Sequence, residues 1–150
     1  MIARILVALD ESARAPSVFH TAAELASVFG AELLLFRAIS VPPEIPAAGA
    51  GGAPDELTPH LSRAAHDALL AFAQSRPGLG CRILVRAEHS AARAILSTAE
   101  EQAVDLIVIG SHGYHGLDRI LGTNAARIAN LARRNVFVVH APASVAASKW

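Results

Sequence analysis

Gly110, Gly113 and Gly116 stand at every third position of the stretch GSHGYHGLDRILGTNAAR (110–127), which continues into Gly122-Thr123-Asn124. Glycine lets the backbone approach a ligand closely and adopt positive φ, so successive N–H groups can converge on an anion. Gly122-Thr123-Asn124 opens a predicted helix. The unpaired N–H groups and dipole of that helix start attract negative charge, and the Thr123 hydroxyl adds a donor. Two N–H clusters at the ends of an eight-residue connection suit a polyphosphate better than a single phosphate. On spacing alone, the alternative is that these glycines only make turns. Two familiar phosphate motifs are absent. Leu121-Gly122-Thr123 lacks the lysine of a Walker A loop, and the first strand ends in ALDES, without the glycines of a dinucleotide fingerprint.

Other reactive side chains support less. His112, His115 and Asp118 are too few for a protein-only zinc site, which needs four ligands and their supporting hydrogen bonds. The two histidines read better as exposed loop side chains, or, for His112, as a hydrogen-bond donor to phosphate. Asp118-Arg119 reads as part of a solvated short helix, with Arg119 reaching phosphate as the alternative. Ser111 has no recognisable histidine–acid chain to make it a nucleophile. Cys81 is the only cysteine, which excludes a disulfide framework and fits an inert core thiol.

The elements that must hold these residues follow from the apolar pattern. Of the 150 residues, 53% are hydrophobic and 17% charged, which predicts one globular domain over 1–150. Short apolar runs at 3–9, 32–38, 81–87, 105–110 and 135–141 read as strands. The first, fourth and fifth are nearly continuous, as expected of strands covered on both faces. Helical patterns lie between them, at about 13–29, from 58 to the Pro77-Gly78 stop, 91–103 and 124–133. Ser12, Thr58 and Ser90 are the predicted N-caps, Gly30 is a C-terminal stop, and Pro16 and Pro59 fall in first turns. Leu61, Ala65, Leu69 and Phe72 give the second helix one apolar face. Ile95, Leu96 and Ala99 point inward from the third, and Ile128 and Leu131 from the fourth. Strand–helix alternation of this kind predicts an α/β fold: a single open five-stranded parallel sheet, order 3-2-1-4-5, with helices on both faces.

Open parallel sheets bind ligands at the carboxyl ends of their strands, where the strand order reverses. Here that point lies between the first and fourth strands, so Asp10 and Gly110 are expected to face each other across one crevice. The Pro-, Gly- and Ala-rich segment 41–57 is read as a mobile loop, either a surface excursion or a lid over a ligand.

ILVALDES at the N-terminus, DLIVIGSHG followed by GLDRILGT, and NVFVVHAP near the end together resemble the universal stress protein family over essentially the whole chain. ATP-binding members carry G-x2-G-x9-G-Ser/Thr. Gly110-x2-Gly113 matches, but eight residues rather than nine separate Gly113 from Gly122-Thr123, which shifts the second N–H cluster relative to the first. The resemblance implies ATP with Mg2+ as cofactor, held at Gly110, Gly113, Gly122 and Thr123 around the phosphates. Asp10 would lie beside adenosine or Mg2+, backed by Ala8 and Leu9, while the Ala38 main chain contacts adenine and Asn124 offers an N–H to a terminal phosphate. For Asp10, capping near Ser12 stands as the alternative. Placed beside the sugar and base, it is poorly set to activate water for phosphate hydrolysis.

The last strand, Asn135 to Ala141, lies at a sheet edge, is apolar and β-branched, and is a candidate for pairing with a copy of itself. The resemblance likewise implies a homodimer through it. Formal net charge is zero and the basic residues are scattered, which argues against nucleic acid or an anionic membrane as partner. No apolar run reaches a membrane span or a signal peptide, so the expected localisation is cytoplasmic. Three functions remain in view: a regulatory adenine-nucleotide-binding protein of the stress response, a nucleotide-free interaction module, and a slow ATP hydrolase.

Overall fold

The computed structural model describes residues 1–41, 57–111 and 122–140. Its elements run β1 (Arg4–Ala8), α1 (Ala15–Phe29), β2 (Glu32–Ser40), α2 (Leu57–Gln74), β3 (Cys81–Glu88), α3 (Ala91–Glu101), β4 (Leu106–Gly110), α4 (Thr123–Leu131) and β5 (Asn135–Val139). All strand pairs are parallel, and the five-stranded sheet has the order β3-β2-β1-β4-β5. The α/β architecture expected from strand–helix alternation is therefore the one observed.

Because alternate strand residues point to opposite faces, the sheet divides the core in two. Ile5, Val7, Leu33, Leu35 and Val108 pack against α1 and α2 on one face. Leu6, Leu34, Phe36, Ile107 and Ile109 pack against α3 and α4 on the other. The buried side of α1 is largely alanine (Ala15, Ala22, Ala23 and Ala26), which brings that helix close to the sheet. Phe19 of α1 meets Phe72 of α2, ring centroids 5.0 Å apart, to close the first layer. No described helix is long and apolar enough to cross a membrane.

Several local expectations need correction. Ser12 does not cap α1, which begins at Ala15 with no side-chain cap. Instead the Ser12 hydroxyl accepts the Arg14 N–H at 3.3 Å and its carbonyl accepts the Ala15 N–H at 3.1 Å, so the cap-like bonds form a turn before the helix. Thr58 lies within the first turn of α2, not ahead of it. Leu131 is 62% exposed and Leu61 42%, so neither faces the core. Leu96 is half-buried but packs against the core, as its inward reading expected. Ser90 does cap α3, its hydroxyl accepting the Arg93 N–H.

At the amino ends of the strands, Asp105 ties β4 to β1. Its carboxylate accepts the N–H groups of Ala3 and Arg4 at 2.9 and 3.0 Å, while its own N–H bonds the Arg4 carbonyl. Those two backbone bonds, that from Ala3 first, hold the Asp105 carboxyl below its ordinary pKa. A depressed folded pKa contributes stability that is present above the unfolded value and lost as pH falls through the folded one. Asp105→Asn is therefore expected to lower the melting temperature at neutral pH and to flatten its decline below about pH 4. Thermal melts of both proteins over an acid pH series check this. A parallel shift at every pH would defeat the assignment.

Candidate functional site

The residues leaving β1 are held by their neighbours on β2. The Leu9 N–H bonds the Phe36 carbonyl at 2.9 Å. Asp10 then turns the chain: its Oδ1 accepts the Ser12 N–H at 2.9 Å, an arrangement favoured by the short carboxylate of Asp. Beneath this turn lies Arg37, 8% exposed. Its Nε donates to the Leu9 carbonyl at 3.0 Å and its Nη2 to the Asp10 carbonyl at 2.9 Å. Phe36 and Ala38 point toward the α3 and α4 face. Arg37, between them on β2, projects to the opposite face and supports the turn from behind.

The second wall forms where β4 ends. Gly110 pairs with Val139 in the sheet, and the Ser111 N–H bonds the Val139 carbonyl at 2.9 Å. The Ser111 carbonyl then accepts the Gly122 N–H at 3.2 Å, so the two ends of the glycine segment are joined at its stem. This modifies the expected donor set, because the Gly122 N–H is spent within the chain. The donors left at the start of α4 are the next backbone N–H groups, which have no partner within the helix and none from the side chain of the N-cap, because that residue is Gly122. Gly122 has φ −58° and ψ 159°, a conformation open to any residue. What glycine supplies there is the absence of a side chain at a buried position.

These walls enclose a cleft of about 430 Å³ at the carboxyl ends of β1, β2 and β4. Its lining mixes Asp10, Gly110, Gly122, Thr123 and Asn124 with apolar residues, Ala8, Phe36, Ala38, Ile109 and Ile128, and includes Ala91 and Ile95 of α3. All the predicted site residues within the described segments line this one cleft: Ala8, Leu9, Asp10, Ala38, Gly110, Gly122, Thr123 and Asn124. His112, Gly113 and almost all of the 41–57 loop lie outside the described residues. Arg37 and the α3 residues Ala91 and Ile95 were not anticipated as parts of the site. The one available signal was a lone cation, Arg37, inside an otherwise apolar strand.

The cavity can take a ligand with a flat apolar part and an anionic part. Its apolar lining includes three small side chains, Ala8, Ala38 and Ala91, together with Phe36 and Ile95. The two helix starts that reach the cleft differ: α3 is capped by the side chain of its N-cap Ser90, whereas the N-cap of α4 is Gly122, which has no side chain to offer. The start of α4 is the one that can accept an anion. Among the described residues the lining carries no lysine or arginine, and Asp10 is its one carboxylate.

Comparison with known proteins agrees with the fold. Residues 1–140 match the family model described as the universal stress protein family. Universal stress protein A homolog 1 of Coxiella burnetii is 44% identical over 45 residues, covering 30% of this chain and 31% of that protein. Among solved structures, the hypothetical protein MJ0577 superposes with a TM-score of 0.76 at 23% identity, covering 93% of this chain and 96% of its own. A universal stress protein in complex with cAMP gives 0.69 at 18%, covering 93% and 97%. One from Archaeoglobus fulgidus in complex with dAMP gives 0.64 at 23%, covering 92% and 98%.

Proposed function

This chain belongs to the universal stress protein family, and from that premise we propose that its cleft binds an adenine nucleotide, ATP with Mg2+ foremost, as a regulatory ligand. The observation that carries the reading is the meeting of two chemistries in one cavity: an apolar lining that includes Ala8, Phe36 and Ala38, and a helix start at Thr123 and Asn124 whose N-cap is the glycine Gly122. Adenine suits the apolar lining, and phosphate suits the helix start. The cAMP and dAMP complexes of the structural neighbours support the same ligand class. When bound, Mg2+ would offset phosphate charge, with Asp10 the carboxylate nearest in chemistry to a ligand for it. Catalysis is at most slow hydrolysis, because Asp10 is engaged in its own turn and no described lining residue is a stronger base.

β5 lies at the sheet edge, with Phe137 41% exposed and Val136 and Val138 half-buried. An apolar edge of this kind supports pairing between two copies as a homodimer. A second reading, a nucleotide-free interaction module, draws on the eight-residue spacing between Gly113 and Gly122.

The test is chemical. Protein purified without added nucleotide is denatured, its supernatant is chromatographed against adenine nucleotide standards, and melts are run with Mg-ATP, AMP and cAMP. ATP near stoichiometry, or a rise in melting temperature with Mg-ATP, is expected. Ligand at about 100 times its Kd would add about 2.7 kcal/mol to stability. An empty protein with no thermal response to any of the three would favour the interaction module.

A further inference from the structure

Residues of α3 and α4 line a groove of about 600 Å³, separate from the cleft. Its charge is one-sided. Arg93 of α3, Arg127 of α4 and Arg133 beyond it line the groove, against a single acid, Glu100. Glu100 is already engaged by Arg134, whose Nη2 lies 3.3 Å from its Oε2. None of Arg93, Arg127 and Arg133 meets a carboxylate among the described residues. The rest of the lining is Ser90 and Ser97 with two leucines, half-buried Leu96 and Leu131, which is 62% exposed. The sequence scatters these arginines over forty positions; the packing of α3 beside α4 gathers them.

We propose that this groove docks an acidic segment of a partner protein, one that seats a large apolar side chain on Leu96 and Leu131 between carboxylates facing the three arginines. Charge complementarity selects the partner. The chain carries no net charge, so the positive field is local to the groove and draws an acidic partner to this place. Guanidiniums flanking an apolar seat are also the composition of a protein-binding surface. A nucleic-acid strand is the poorer occupant. It needs a cationic track along its backbone, and its phosphates would leave Leu131 in contact with water. The inference does not rest on the nucleotide reading, because none of these residues lines the cleft.

The experiment uses the full chain and fluorescence anisotropy with three labelled probes: a short glutamate–leucine peptide, its lysine–leucine counterpart, and a thymidine oligonucleotide. The acidic peptide is expected to bind, and the triple variant Arg93→Gln, Arg127→Gln, Arg133→Gln to weaken it about tenfold. Raising salt should weaken the wild type and leave the triple variant nearly unaffected. Leu131→Ser should cost about tenfold even at high salt, where only the apolar seat remains. All four positions are on the surface, and thermal melts verify that the variants fold. Failure of the acidic peptide to bind, equal affinity in the triple variant, or equal binding of the lysine peptide would overturn the proposal. So would tighter binding of the oligonucleotide, which would make the groove a phosphate-reading surface instead.

Discussion

Replacing Gly122 with valine is expected to weaken adenine-nucleotide binding at least about 100-fold, about 2.7 kcal/mol, while the nucleotide-free protein stays folded. Gly122 is buried, lines the cleft, and stands at the point where the chain enters α4. A branched side chain there fills space that the ligand needs and crowds the N–H groups that follow. Its backbone angles are ones valine adopts freely, so the fold should lose little more than an N-cap preference, about 1 kcal/mol. Gly122→Ala, with a single added carbon, should fall between the two. Calorimetric titration with Mg-ATP, beside thermal melts of the empty proteins, measures both effects. A valine variant that binds within about threefold of wild type would remove Gly122 from the site.

Arg37→Met should weaken both the fold and the site, for one reason. The guanidinium donates to the Leu9 and Asp10 carbonyls, and methionine keeps much of the volume while removing both donors. Hydrogen bonds from a charged donor contribute about 1.5–3 kcal/mol each, and the Leu9 carbonyl would be left buried without its partner. A loss of about 3 kcal/mol, or about 10 °C in melting temperature, is the expected result. Nucleotide affinity should fall about tenfold when measured well below the melt, because the turn that presents Leu9 and Asp10 to the cleft is no longer fixed. Arg37→Lys restores the charge but not the paired geometry, and should recover only part of the affinity. Asp105→Asn supplies the control, a destabilised protein with an undisturbed cleft. If folded Arg37→Met binds like wild type, Arg37 supports the sheet and not the site.

The strands were legible because those buried on both faces carry few polar residues, and the strand order followed from their alternation with helices. The strand-end part of the cleft followed in turn, since the point where order reverses depends on topology alone. Asp10 and Gly110 could thus be placed together from sequence. Ala91 and Ile95 could not. α3 connects β3 to β4, which are separated in the sheet by β2 and β1. It therefore crosses above the middle of the sheet, and where its first turn comes to rest depends on packing. Arg37 was hidden for a related reason: its role depends on the register that sets Leu9 beside Phe36, which no local pattern encodes. Leu131 misled because helical periodicity names a face without saying whether anything covers it. Beyond Ile128, α4 nears the edge strand β5, and its last turn is left uncovered.

The helices α3 and α4 each serve two surfaces. Ala91 and Ile95 of α3 line the cleft, while Arg93 and Leu96 of the same helix line the groove. On α4, Ile128 borders the cleft and its neighbour Arg127 the groove. Cleft and groove thus share the same two helices, and their occupants belong to a single thermodynamic cycle. If filling the cleft changes the separation of the helices, and so alters affinity at the groove by some factor, then filling the groove must alter affinity at the cleft by that same factor. A molecule arranged in this way would register nucleotide supply in its choice of company, and its company in how long it keeps the nucleotide.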